Sequence, residues 1–154
     1  MTMSKVSADR LKKAHPLLQK LFTAVAAETE IVILDSTRGR AAQELAYKKG
    51  NTKVHFGNSA HNYVPAIALD VCPLPVDWSR TGRQKFEKLG KEFVLPIAAR
   101  LKIPIRWGAD WNMNSVLTDE KFSDMPHYEL HPWRSYAAKA KLFMLPLIGK
   151  ERLR

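Results

Sequence analysis

Histidine and carboxylate side chains gather in two stretches of the 154-residue chain, His61 to Asp70 and Asp124 to His131. His61, Asp70 and His127 make the kind of donor set a catalytic zinc takes, in which His, Asp or Glu supply three protein ligands and a fourth position stays open for water. Asp70 stands inside the apolar run Ala66-Ile67-Ala68-Leu69-Asp70-Val71, where an uncompensated carboxylate is costly to desolvate. A metal ion compensates it, but so does an arginine partner or a set of backbone N–H groups, and taken alone the run favours the arginine slightly. His15 and His55 read as surface or hydrogen-bonded residues. The helical His-Glu-x-x-His signature is absent, and a His and an Asp nine apart match no local metal motif. The single cysteine, Cys72, excludes an internal disulfide. It reads as a small buried hydrophobe beside Ile67 to Val71, so the fold rests on its core and on any metal it binds.

Four blocks follow one another along the chain: Ser59-Ala60-His61-Asn62, Pro65-Ala66-Ile67-Ala68-Leu69-Asp70, Ile105-Arg106-Trp107-Gly108-Ala109-Asp110-Trp111 and Asp124-Met125-Pro126-His127-Tyr128-Glu129-Leu130. Ser36-Thr37-Arg38-Gly39 and then Gln43 precede them. Over about residues 30 to 131 this order resembles the VanY-like family of zinc peptidases, which includes D-alanyl-D-alanine carboxypeptidases and the L-alanyl-D-glutamate endopeptidases that phages use as endolysins. The resemblance implies Zn2+ held by His61, Asp70 and His127, with Asp124 as the general base. It also implies that Arg38 binds substrate or stabilises the developing oxyanion. In such a site zinc brings the pKa of water to about 7 and polarises the scissile carbonyl, while the base relays a proton to the leaving amine. One departure is the long step from His61 to Asp70, with Asn62 to Pro65 between them, which requires a bulged loop.

Supporting residues are also placed by these blocks. Ser59 leads the block of the first ligand. Trp107 and Trp111 flank a turn and either wall a cleft or pack inward. Asp110 either orients a ligand histidine or stabilises that turn. Glu129 alternates with His127 on one strand face, where it can support the site. Read without the resemblance, Asp124 is a cap and Arg38 a surface residue in a turn.

The elements that must position these residues follow from periodicity. Leu11, Ala14, Leu18, Leu21, Phe22 and Val25 share one helical face over Ser7 to Glu28, and Pro16 should kink or divide that helix. Ile31 to Leu34 reads as a strand, Ala41 to Lys49 as a helix stopped by Gly50, and Ala66 to Val71 as a buried strand ended by Pro73 and Pro75. An amphipathic helix fits Arg83 to Leu101 with a kink at Pro96. Ile103 to Trp107 and His127 to Leu130 read as strands separated by an irregular loop, Gly108 to Asp124. A basic, apolar-rich tail runs from Trp133 to Arg154 and is interrupted by Pro146. The predicted class is α+β, a small antiparallel sheet flanked by helices in a single domain spanning residues 1–154.

The chain carries 25 Lys and Arg against 15 Asp and Glu, a formal net charge of +10. Such an excess attracts polyanions, and both nucleic acid and the anionic bacterial envelope qualify. The cations are scattered, however, without zinc-finger spacing or an RNP-like aromatic run, so no nucleic-acid partner is expected. The N-terminus lacks the features of a secretory signal. A monomeric endolysin is expected to wait in the host cytoplasm until released and then to act on peptidoglycan. The alternatives are a D-alanyl-D-alanine carboxypeptidase and a non-catalytic basic module that binds envelope or nucleic acid.

Overall fold

The computed structural model describes residues 3–144. It opens with two helices where the sequence pattern suggested one divided by proline: α1, Lys5–Leu11, and α2, Pro16–Glu28. Pro16 starts the second helix because its ring presets φ and it has no N–H to leave unpaired in the first turn. The ring of His15 caps that turn, accepting from the Leu17 N–H at 3.0 Å. Leu18, Leu21, Phe22 and Val25 follow at helical spacing and are fully buried, each worth roughly 1.5–3 kcal/mol of transfer free energy.

The sheet comprises β1, Ile31–Asp35, β3, Ala68–Pro73, β4, Ile105–Trp107, and β5, His127–Leu130, whose spatial order is β1-β3-β5-β4 with every pairing antiparallel. The expected antiparallel sheet is therefore present. Because side chains alternate across a strand, its register divides polar from apolar. Asp35 lies opposite Asp70 and Asp70 opposite His127, while Glu129 lies between Ala68 and Arg106. On the other face Leu69 and Trp107 flank Tyr128, and Ile105 pairs with Leu130. The Tyr128 and Trp107 rings lie nearly parallel with their centroids 5.9 Å apart, and Phe22 of α2 meets Tyr128 edge-on. One face thus builds the core and the other carries the ionisable groups.

The edge strand β1 would expose unpaired backbone groups, and α1 covers them. Ser7 Oγ accepts from the Ile33 N–H at 3.0 Å, and Arg10 donates to the Ile33 carbonyl at 2.9 Å. Between β1 and β3 run α3, Arg40–Lys48, a 3-10 turn Ala60–Asn62 and the two-residue strand β2, Tyr63–Val64. The other side of the core is closed by one helical stretch that begins slightly earlier than expected: α4, Arg80–Lys88, a π-turn segment Leu89–Val94, and α5, Leu95–Leu101. The wide turn precedes Pro96, which cannot donate to the helical ladder. Finally α6, Trp133–Ala137, leads to β6, Lys141–Leu142, which pairs with β2. The remainder of the basic tail, from residue 145 onward and including Pro146, lies outside the described residues. No helix among the described residues is long and apolar enough to cross a membrane.

Candidate active site

His61 enters the site from the 3-10 turn, whose geometry is fixed locally. Ser59 Oγ accepts from the His61 N–H at 3.2 Å, and Asn62 Oδ1 accepts from the N–H groups of Gly57 and Ser59. The Nδ1 of His61 lies 2.8 Å from the Ser36 carbonyl. A carbonyl only accepts, so Nδ1 carries the proton and Nε2 is left with a lone pair. That lone pair faces Asp70 Oδ1 and His127 Nδ1, each 3.2 Å away, and those two atoms are 3.5 Å apart. Ligand atoms about 2.0–2.2 Å from a tetrahedral ion are separated by about 3.3–3.6 Å, so the three donors match a tetrahedral face within a few tenths of an ångström. No other group of three His, Cys, Asp or Glu among the described residues meets the geometry for holding a metal ion.

The second histidine is fixed by its own strand. Glu129, two residues on and therefore on the same face, places Oε1 2.7 Å from His127 Nε2. Its other oxygen accepts from Arg106 Nε and Nη2 at 3.1 and 2.7 Å. A proton held on Nε2 by this carboxylate frees Nδ1 for the cluster, the arrangement that orients metal-binding histidines. Electrostatics point the same way. Burial disfavours a charged His127, yet hydrogen bonds to Asp70 and Glu129 outweigh it and push the imidazole pKa up to about 10. Burial likewise raises Asp70, but His61 and His127 overcome this and hold the carboxyl well below the usual range. Asp70 and Glu129 thus flank the His127 ring from opposite sides and both favour positive charge on it.

Asp70 resolves the choice posed by its apolar surroundings by using both of its oxygens. Oδ1 faces the histidines, while Oδ2 accepts from Arg38 Nη2 at 3.3 Å. Arg38 is in turn gripped by Asp35 Oδ2 at 3.0 Å and donates Nη1 to Gln43 Oε1 at 3.1 Å. Its guanidinium thus spans Asp35, Gln43 and Asp70 and lines the same cavity as His61 and His127. Asn62 ties this network to the turn of His61. It is fully buried, and its amide donates to the Arg38 carbonyl at 3.0 Å and to Gln43 Oε1 at 3.1 Å. Asp35, Asn62 and Arg106 were not singled out by the sequence reading. The available signals were an Asp closing an apolar strand, an Asn adjoining the first His, and an Arg at period two from its neighbours.

Asp124 lines a cavity of about 1100 Å3 together with His61, Asp70 and His127. Burial raises its pKa, and nearby Asp70 adds to the rise against the opposing pull of His127, His61 and Arg38. Its main chain is pinned: the Asp124 N–H donates to the Gly108 carbonyl at 2.8 Å, and the Asp124 carbonyl accepts from His127 at 3.1 Å. This close approach needs glycine, because a Cβ at Gly108 would stand 2.2 Å from the Asp124 carbonyl oxygen.

The remaining candidates divide. Ser59, Trp111 and Glu129 line the cavity. Trp111 packs its ring 5.3 Å from that of His127 and donates Nε1 to the Phe122 carbonyl at 2.7 Å. Trp107 takes the packing role instead: it is 2% exposed and donates to the Met125 carbonyl at 2.7 Å. Asp110 stabilises the turn, accepting from the Asn114 and Ser115 N–H groups at 3.2 and 2.8 Å, and the carboxylate beside His127 Nε2 is that of Glu129. The long step from His61 to Asp70 is absorbed by β2, and Asn62 O accepts from the Phe143 N–H at 2.7 Å beside that pairing.

Residues 1–131 match the family described as phage L-alanyl-D-glutamate peptidase. Among solved structures, the fold is similar to that of the L-Ala D-Glu endopeptidase ChiX of Serratia marcescens, with a TM-score of 0.68 at 20% identity over 89% of this chain and 94% of that one. No curated protein matches the chain by sequence.

Proposed function

We propose that this chain, which belongs to the phage L-alanyl-D-glutamate peptidase family, hydrolyses the L-alanyl-D-glutamate bond of the peptidoglycan stem peptide with Zn2+ held by His61, Asp70 and His127. The observation that carries the reading is the convergence of three donor atoms at separations of 3.2, 3.2 and 3.5 Å in the cavity that Asp124 also lines. When bound, the zinc supplies Lewis acidity that makes a water deprotonable near neutral pH and polarises the scissile carbonyl.

The protein groups do the rest. Asp124, whose raised pKa favours exchange of a proton, takes one from the attacking water as the new C–O bond forms at the L-alanine carbonyl carbon. When the C–N bond breaks, the same carboxyl gives that proton to the departing amine of D-glutamate. The products are a free carboxylate on L-alanine and a free amine on D-glutamate, with no other reactant consumed. Glu129 keeps the His127 proton on Nε2, and the Ser36 carbonyl keeps that of His61 on Nδ1. Arg38 acts as a positioning residue, holding Asp70 through Oδ2. The net charge of +10 favours approach to an anionic wall.

Digestion of purified peptidoglycan followed by mass spectrometry of the new end groups tests the reading. New L-alanine carboxyl ends and D-glutamate amino ends are expected. Release of free D-alanine would assign carboxypeptidase activity instead, and intact peptidoglycan after treatment with zinc-loaded protein would remove the peptidase reading.

A further inference from the structure

The wall of the cavity formed by the start of α4 is not used by the chemistry above. Trp78 lies there and is 65% exposed, the most exposed large apolar side chain among the described residues. It lines the same cavity as His61, Asp70 and His127. Its ring is not loose: it stacks on Phe86, a core residue 4% exposed, with centroids 5.3 Å apart and planes 29° from parallel. The segment that presents it is clasped onto the helix. Asp77 Oδ1 accepts from the Ser79 N–H at 2.9 Å, and Ser79 Oγ caps α4 at the Gly82 N–H. A Cβ at position 82 would lie 1.7 Å from the Asp77 carbonyl oxygen, so glycine alone permits this seat. The stacked ring still leaves 65% of the side chain exposed at a position that lines the cavity. A rigid aromatic ring at the edge of a substrate cavity suits a flat or ring-shaped apolar surface on the substrate.

We propose that Trp78 is a saccharide platform that binds the amino sugar carrying the stem peptide, with Asp77, Ser79 and Arg83 beside it to meet hydroxyl groups. The inference rests on the peptidase reading above. In peptidoglycan, the L-alanine that contributes the scissile carbonyl is amide-linked to a lactyl group on the sugar. Two residue-like units of extended chain therefore separate that carbonyl from the ring, about 7 Å, so the sugar follows the scissile bond closely, and Trp78 lines the same cavity as His61, Asp70 and His127. The C–H face of a pyranose covers the exposed indole as a side chain would, and the lactyl amide on this side of the scissile bond brings no charge that would need a cation.

The test compares two zinc-loaded proteins, parent and Trp78→Ala, on a disaccharide-linked stem peptide and on the same peptide without sugar. The parent is expected to cut the sugar-bearing substrate with about tenfold higher kcat/KM, equivalent to about 1.4 kcal/mol. Trp78→Ala should lose that preference while cutting the free peptide as fast as the parent. Gly82→Ala, which unseats the clasp, should lower the preference in the same direction. No sugar preference in the parent, or an equal loss on both substrates in Trp78→Ala, overturns the proposal and leaves the peptidase reading intact. If the parent cuts neither substrate, the peptidase reading fails. Calorimetric titration with the disaccharide peptide then decides the Trp78 assignment by itself: about tenfold weaker binding in Trp78→Ala supports it, and unchanged binding refutes it.

Discussion

Glu129→Gln keeps the size of a side chain that is 3% exposed and removes its charge, at a point where two neighbours both donate to it. His127 Nε2 and Arg106 Nη2 each lie 2.7 Å from a different Glu129 oxygen. An amide has only one acceptor oxygen. If that oxygen faces His127, the NH2 group points at the guanidinium and a donor meets a donor. If it faces Arg106, the NH2 group meets His127 Nε2, which must give up its proton; the proton then sits on Nδ1, the atom that faces Asp70 and His61. Either outcome weakens the cluster. Loss of a carboxylate that orients a metal-bound histidine costs about 10–100-fold in metal affinity, or roughly 1.4–2.8 kcal/mol. Competition against a chromophoric chelator at fixed pH measures this, and the thermal midpoint of the metal-free variant separates it from misfolding. Zinc affinity within twofold of the parent, in a variant that folds normally, would mean that Glu129 does not fix the tautomer of His127.

Three other perturbations probe different parts of the site. Asp124→Asn removes the proton relay without touching a ligand, so kcat should fall by about 10²–10⁴ while zinc content by mass spectrometry stays at the parent value; unchanged kcat would exclude Asp124 as the base. Gly108→Ala forces a Cβ against the Asp124 carbonyl, which should cost about 1–3 kcal/mol and lower both the thermal midpoint and kcat, whereas parental values would mean the close approach is dispensable. In the metal-free protein the pKa of His127 is raised from 6.5 to about 10. A raised imidazole pKa stabilises fully below about pH 6.5 and loses that contribution as the pH climbs to about 10. The metal-free thermal midpoint should therefore fall across this window, while in the zinc-loaded protein, whose His127 ligand atom carries no proton, that fall should be absent. Parallel curves for the two forms would contradict it.

The parts of this site visible in the sequence are those governed by short-range periodicity. Alternation along His127-Tyr128-Glu129-Leu130 puts His127 and Glu129 on one face, and the structure pairs them at 2.7 Å. Leu18, Leu21, Phe22 and Val25 reveal a helix face, and Pro16 marks a break that the chain uses as a helix start. What remained hidden depends on distant partners. Pairing of Tyr63–Val64 with Lys141–Leu142 joins segments that carry no mutual signature. The commitment of Arg38 to Asp35, Gln43 and Asp70 emerges only once β1 and β3 lie side by side. Trp107 and Trp111 look alike in a list of residues around one turn, yet strand parity turns the first toward Tyr128 and the core, while the loop carries the second over His127. Asp110 and Glu129 were both candidates to orient a histidine, and only Glu129 lies within reach of His127 because backbone N–H groups of the loop claim Asp110.

Whether His61, Asp70 and His127 hold one catalytic zinc is decided by measuring metal content together with cleavage in the parent, His61→Ala and His127→Ala. One tightly bound zinc per chain is expected in the parent, with loss of both zinc and peptidoglycan cleavage in each variant and recovery of the chelated parent on adding zinc. Stoichiometric zinc retained by both variants, or undiminished cleavage after complete removal of metal from the parent, would contradict it.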